Sequence, residues 1–287
     1  MQSFGYRRPG TIDEALALLE QHGDDAKLLA GGTDLVIELR NRWRRPKIVV
    51  DLKRIAELRP PIREEEGRLV FTALAVMSEI VADDRVQLHF PALAEAADVV
   101  GSIQIRNRAT LAGNVCNGSP AADTAPPLLV YGAEIVIAGK DGRRRVPIDD
   151  FIVGPGKVGL GPVEMVVAIE LPIPKQPIAA AYTRMTRRHG TDLASITLCC
   201  GVDATGTTRL AYGSVGPRAL LVEDRSGVLA DPDATDDEKA PVLAGMFSAA
   251  SPSPKSMRAG PEYRVAMLPV LGARALHIAI ERLASVS

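Results

Sequence analysis

The sequence predicts an α+β fold in two domains, on its length, its alternation of helical and strand-like periods, and a proline cluster after which strands precede helices. At 287 residues the chain exceeds the roughly 100 to 200 residues usual for one domain. Helical and strand periods alternate through the first 172 residues. Pro172, Pro174 and Pro177 then interrupt helix and sheet alike, because proline lacks the backbone donor and fixes its own φ. The predicted domains are 1–177 and 178–287.

In order along the chain, Thr11 and Glu14 have capping-box spacing, and Ile12, Ala15, Leu16 and Leu19 recur at helical intervals. A helix is expected from about residue 12 to Gly23. The run AKLLA (26–30), the turn GGT, the stretch DLVIELRN and the run KIVVDL (47–52) read as strand, turn, helix, strand. RLVFTAL (68–74) reads as a strand and FPALAEAADVV (90–100) as a helix. The segment SIQIRNRATLAGNVCNGSPAAD, rich in Gly, Asn, Ser and Pro with few core residues, reads as a binding loop. DTAPPLLVYG is expected to be helical, AEIVIAG and RRRVPI to be strands paired around Asp141 and Gly142, and MVVAIELP (165–172) to be a further strand. Beyond the prolines, YTRMTR, SITLCCGVDA and TTRLAYGSVG read as strands, with Thr205 and Gly206 turning the second into the third. Helices close the chain around 235–250 and 262–284, the latter from the spacing of Met267, Val270, Leu271, Arg274 and Ile278.

Composition excludes several classes of function. With 46% hydrophobic residues the chain can bury an ordinary core. A formal net charge of -1 leaves no excess cation to neutralise nucleic-acid phosphates. The basic runs Arg40, Arg42, Arg44, Arg45, Lys47 and Arg143, Arg144, Arg145 read either as solvated faces or as local anion or partner contacts. No signal-peptide core opens the chain and no run reaches the ~20 apolar residues of a membrane span, so a cytoplasmic protein is expected. Cys116, Cys199 and Cys200 cannot supply the four thiolates an iron–sulfur cluster usually needs. Any cluster must belong to another chain, and adjacent Cys199 and Cys200 should face opposite ways on a strand. His22, His89, His189 and His277 are scattered without an i, i+4 pair and no GxSxG elbow is present, so neither a metal site nor a hydrolase triad is expected.

Two segments carry candidate chemistry. LLAGGTDL (28–35) puts Gly31 and Gly32 between a strand and a helix, where missing side chains let backbone amides approach an anion. It lacks both the GxGxxG spacing and a Walker lysine, so a plain turn capped by Thr33 or Asp34 is the competing reading. IRNRATLAGNVCNGSPAAD (105–123) offers small residues at Ala109, Ala112 and Gly113 beside Thr110, Asn114 and Ser119. Asp123 is either a helix N-cap or an acceptor for a ribose hydroxyl. A diphosphate needs donors on both sides, so the pair together makes a dinucleotide clamp plausible.

AGGTDL near residue 30, QIRNRATLAGN near 110, SPAAD ending at Asp123, IELP at 169–172, YTRMTRRHGTDLA, GSVGPRA and SMRAGPEYRVAMLPVLGARAL occur in that order. Over essentially its whole length the chain resembles the FAD-binding medium subunits of molybdenum hydroxylases, typified by the carbon monoxide dehydrogenase medium chain, and the flavin domain of xanthine dehydrogenase. The resemblance implies an FAD-binding domain of the p-cresol methylhydroxylase (PCMH) type, with subdomains of about 1–57 and 58–177. A C-terminal α+β domain of the carbon monoxide dehydrogenase flavoprotein type follows. It further implies that Leu29, Ala30, Gly31, Gly32, Thr33, Asp34 and Leu35 wrap the FAD diphosphate, that Thr110, Ala112, Gly113 and Asn114 approach it from the second loop, and that Asp123 bonds the ribose or adenine side. Val166 and Arg184 match the family's later contacts.

Ala109 and Ala112 stand where relatives usually carry glycine, which puts any positive-φ requirement there in question. By the same resemblance the chain is an oxidoreductase subunit without catalytic acid or base. It would pass electrons from a small iron–sulfur subunit with two 2Fe-2S clusters, through FAD, to an external acceptor, beside a large molybdopterin subunit in a dimer of heterotrimers. The other readings are a self-contained FAD-dependent oxidase or reductase and a cofactor-free assembly subunit.

Overall fold

The computed structural model describes residues 2–188 and 190–286; His189, inside the YTRMTRRHGTDLA motif, lies outside the described residues. The described residues form three larger sheets, which follow one another in chain order, and one two-stranded hairpin. The first is parallel, β1 (Gly5–Arg7), β3 (Ile48–Asp51) and β2 (Ala26–Leu29) in the order β1-β3-β2. Helix α1 (Ile12–His22) starts where Thr11 Oγ1 accepts from the Glu14 amide and stops at Gly23, whose φ of 49° only glycine adopts without strain. Glu14 reaches the Gly10 amide at 2.6 Å rather than that of Thr11, so half of the expected capping box forms. Helix α2 (Leu35–Arg40) follows the glycine turn.

The second sheet has β4 (Ile62–Glu65), β5 (Arg68–Thr72), β10 (Met165–Pro172), β6 (Glu134–Gly139) and β7 (Gly142–Pro147) in the antiparallel order β4-β5-β10-β6-β7. Central β10 is buried on both faces through Leu171, which is why its sequence is nearly unbroken apolar. Between β5 and β6 run α3 (Met77–Ala82), α4 (Asp84–His89), α5 (Pro91–Asp98), α6 (Ile103–Arg106), α7 (Leu111–Cys116) and α8 (Ala125–Val130). After β7 come α9 (Ile148–Phe151) and the hairpin β8 (Ile152–Gly154) and β9 (Lys157–Val158).

Segment 102–123 departs from the expected open loop. It contains α6 and α7, started by Ser102 and Thr110 side chains, and buries Leu111, Ala112 and Val115. Its Gly, Asn and Ser content hid these two short helices because each needs only one apolar face and one capping oxygen.

The third sheet is a meander of β11 (Ile178–Met185), β12 (Ile196–Asp203), β13 (Thr208–Gly213) and β14 (Leu220–Asp224). Asp203 closes the expected turn, its carboxylate accepting from the amides of Thr205 and Thr207, with Gly206 at φ 84°. Cys199 and Cys200 face opposite sides of β12. Ala180, Cys199 and Ala211 join the core of the first two sheets, while Ala181, Ile196, Leu198, Cys200, Leu210 and Tyr212 pack beneath α10 (Asp236–Met246) and α11 (Pro261–Val286). A Cβ on Gly201 would lie 2.5 Å from Val130 Cγ1, so glycine there lets α8 close on the sheet.

Helix α11 is long and apolar enough by length and composition to cross a bilayer, unlike any run expected from the sequence. It packs on β11 and β12, burying Leu268, Leu271, Ala275, Leu276 and Ala279. Arg274 and His277 face solvent on its other side, with Val270 and Ile278 partly exposed, so the buried stripe is rotated from the one its spacing suggested.

Candidate functional site: two turns that meet

The turn after β2 touches the segment before α7, backbone to backbone. A Cβ built on Gly31 would fall 2.0 Å from the Arg108 carbonyl oxygen and 3.1 Å from Ala109 Cα, so only glycine allows the approach. Gly32 has φ 81°, a left-handed conformation that favours glycine, and its carbonyl starts α2 by accepting from the Val36 amide at 3.0 Å. Asp34 stands at the N-cap of α2 with no side-chain cap bond, so the capped-turn reading fails for this residue. Burial, and next the Glu38 charge, push the Asp34 carboxyl above its ordinary value. Ala30 is fixed from below, its carbonyl accepting from Lys53 Nζ at 3.3 Å while Lys53 also pairs with buried Asp51 at 2.6 Å.

The second turn is held as firmly. Met77 N–H donates to the Ala109 carbonyl at 2.9 Å and Leu111 N–H to the Ala75 carbonyl at 3.0 Å, pinning residues 109–111 to the segment that starts α3. Thr110 Oγ1 accepts from the Gly113 amide at 3.1 Å and caps α7. Asn114 Oδ1 accepts from Thr124 Oγ1 at 2.7 Å, tying α7 to the start of α8. Neither Ala109 nor Ala112 has a positive φ, and Ala112 lies inside α7.

Asp123 is 8% exposed and does not cap α8; Thr124 stands at that position. Its Oδ1 instead accepts from Tyr182 Oη at 2.6 Å and from Arg184 Nη1 at 3.4 Å, both on β11. Burial pushes the Asp123 carboxyl up, while the Tyr182 hydrogen bond and the Arg184 charge pull it down. Burial and the neighbouring carboxylate push the Tyr182 phenol well above its usual value, so it remains a donor.

The structure thus brings together Gly31 with the 108–109 peptide, and Asp123 with Arg184. Leu29 and Leu35 flank the first turn, with Leu29 Cδ1 beneath Gly32. Val166 is buried in β10, against which α7 packs, and no side-chain bond ties it to either turn. Tyr182 and Lys53 escaped the sequence reading. Tyr182 was reachable, because it lies two residues before Arg184 and a strand puts both on one face.

The basic runs are mainly solvated faces with local partners: Arg44 pairs with Glu38, Lys47 with Asp25, Arg144 with Glu164 and Arg145 with Glu170. Two cavities beside β7, of about 140 and 380 Å³, are lined in part by Arg143 and Arg144, the smaller also by Arg145 and Glu170 and the larger by Glu164, and neither is lined by a residue of the two turns.

Fold and turns define a class: an α+β protein whose two glycine-bearing turns, from different sheets, converge on one another. Residues 2–174 match a family described as the FAD binding domain in molybdopterin dehydrogenase. The chain is 35% identical to the carbon monoxide dehydrogenase medium chain of Hydrogenophaga pseudoflava, over 98% of each chain. It is 38% identical to a xanthine dehydrogenase FAD-binding subunit of Escherichia coli, over 75% of each. Among solved structures, carbon monoxide dehydrogenase from H. pseudoflava superposes with a TM-score of 0.86 at 33% identity, covering 98% of both chains. Quinoline 2-oxidoreductase from Pseudomonas putida gives 0.85 at 25% identity, again covering 98% of both. The chain belongs to this FAD-binding family of molybdopterin dehydrogenases, and is an FAD-binding oxidoreductase subunit of the molybdenum-hydroxylase type.

Proposed function

We propose that this chain relays electrons from a partner iron–sulfur subunit through FAD to an external acceptor, within an assembly that also holds a large molybdopterin subunit. Residues 1–177 would form the FAD-binding domain and 178–287 the C-terminal domain, in a dimer of heterotrimers. The observation that carries the reading is the contact of Gly31 with the Arg108–Ala109 peptide, because it sets two turns of amides side by side where a charged bridge needs donors from both.

Leu29, Ala30, Gly31, Gly32, Thr33, Asp34 and Leu35 would hold one side of the diphosphate. Thr110, Ala112, Gly113 and Asn114 would hold the other. Asp123 would accept from the ribose or adenine side, Arg184 would orient Asp123 and touch the cofactor, and Val166 would contact it from β10. Bound FAD accepts and gives electrons one or two at a time, which suits a passage between single-electron centres and a two-electron acceptor. The protein's own residues bind, orient and exclude water; the turns carry no paired acid and base, and electron passage needs none.

The test is anaerobic mixing of the FAD-loaded chain with its reduced iron–sulfur partner, following the flavin's visible absorption. Bleaching by the partner, and none by small organic substrates added to the isolated chain, is the expected result. Bleaching by a small substrate alone would establish a self-contained reductase instead. A colourless chain that takes up no FAD would establish an assembly subunit.

A further inference from the structure

The matched FAD-binding family ends at residue 174, yet the carboxylate expected at the cofactor is held by side chains beyond that limit. We propose that Tyr182 is a positioning residue for FAD: its hydroxyl aims Asp123, so that the four-stranded C-terminal sheet sets the adenosine end of the cofactor. The inference rests on Asp123 being a cofactor contact, as proposed above.

The SPAAD segment is docked on that sheet at two points. At one end the Pro120 carbonyl accepts from the Ser214 amide at 2.6 Å, and a Cβ on Gly213 would lie 2.9 Å from that carbonyl oxygen. Ser214 is in the left-handed region at φ 65°, uncommon for a residue with a side chain, and its carbonyl accepts from buried Arg264 of α11 at 2.6 Å. At the other end stands the Tyr182–Asp123 bond. Between them Ala121 and Ala122 are buried, and both amides turn back onto Ser119. The chain from 119 to 123 is therefore a short clamped turn.

Tyr182 is itself fixed before it touches Asp123. Its amide donates to Glu95 Oε2 of α5 at 2.9 Å; Glu95 pairs with Arg282 of α11, and Arg282 donates to the Ala180 carbonyl at 2.6 Å. A side chain held at its backbone, with two torsions and one hydroxyl, fixes the direction of the carboxylate it meets. Arg184 on β11 and Cys199 on β12 lie beside the Tyr182 phenol, while Glu95 on α5 and Arg282 on α11 meet the backbone of β11 at Tyr182 and Ala180. Arg184, at 3.4 Å, supplies charge; Tyr182, at 2.6 Å, supplies the shorter directed bond.

The experiment measures binding of FAD and of FMN to the full chain across pH, in the wild type, Asp123→Asn, Tyr182→Phe and the double variant. FMN lacks the adenosine half and controls for general loosening. Tyr182→Phe is expected to weaken FAD binding about tenfold and leave FMN unchanged, with the double variant no weaker than Asp123→Asn alone. The ionised carboxylate is the better acceptor, so FAD affinity is present above the Asp123 pKa and falls as pH drops through it. The Tyr182 bond favours the ionised form, and its removal moves this acid limb to higher pH. Replacing Tyr182 by 3-fluorotyrosine, a stronger donor that keeps every contact, moves the limb to lower pH and serves as the readout if Tyr182→Phe does not fold.

Weakening by Asp123→Asn, without an effect or limb shift from either change at 182, overturns the positioning role and leaves the FAD site standing. Equal loss of FAD and FMN in Tyr182→Phe overturns it too, as general loosening. An Asp123→Asn variant as tight as wild type overturns the Asp123 contact and with it the positioning role, and a wild type that binds no FAD overturns the FAD site as well.

Discussion

At Gly31 and Gly32 the first turn has no room for a methyl group, whereas at Ala109 and Ala112 the second turn carries one without strain. Gly31 lies against a peptide and Gly32 has a left-handed φ; Ala109 and Ala112 have ordinary φ values, and Ala112 is part of a helix. Glycine is thus required here by backbone meeting backbone and by handedness, while a turn built from capped helical backbone reaches the same contact with alanine. The glycines that the family resemblance leads one to expect in the second turn are permitted by this geometry but not demanded by it.

The comparison is broken most directly at Gly31. Gly31→Ala places a carbon 2.0 Å from the Arg108 carbonyl oxygen, which belongs to backbone pinned by other bonds and cannot swing aside as a side chain would. Overpacking of this kind costs about 3 kcal/mol. The expected outcome is a large fall in the denaturation midpoint with the protein purified free of flavin; a yellow Gly31→Ala protein of wild-type stability would show that the turns need not touch. Gly32→Ala is expected to cost less, about 1–2 kcal/mol, for a left-handed alanine. Its other conflict, 2.6 Å from Leu29 Cδ1, is with the end of a flexible side chain that can rotate. FAD should still bind, more weakly, and titration of the apoprotein would show it.

Much of this difference was hidden in the one-dimensional pattern. LLAGGTDL announces its turn, because paired glycines between an apolar run and a helical one have few other uses. MVVAIELP likewise announces a central strand, and CC on β12 announces its two faces. What glycine 31 rests against was illegible, since its neighbour is Arg108, which local periodicity cannot bring near. Helices α6 and α7 were missed because each is a single turn or slightly more, with too few residues to show a period. Tyr182 was passed over for a different reason: it reads as strand core, and only Asp123, 59 residues earlier in the chain, gives its hydroxyl a partner.

The second turn makes the smaller predictions. Thr110→Ala removes the oxygen that accepts from the Gly113 amide and starts α7, at about 1 kcal/mol, and Thr110→Ser should restore it; urea denaturation of the three proteins is the measurement. Ala109→Gly is the smallest change and the sharpest comparison with Gly31. It introduces the glycine that the family resemblance leads one to expect, and if alanine were strained there the variant would gain stability and hold FAD more tightly. The φ of Ala109 is one that alanine adopts freely, and its amide and carbonyl are already engaged by Ile105 and Met77. The greater freedom of glycine in the unfolded chain acts against folding by about 0.5–1 kcal/mol, and the loss of the buried Ala109 methyl acts in the same direction. Ala109→Gly should therefore melt slightly below wild type and bind FAD no more tightly. A gain in either quantity would mean that the second turn, like the first, is limited by a methyl group.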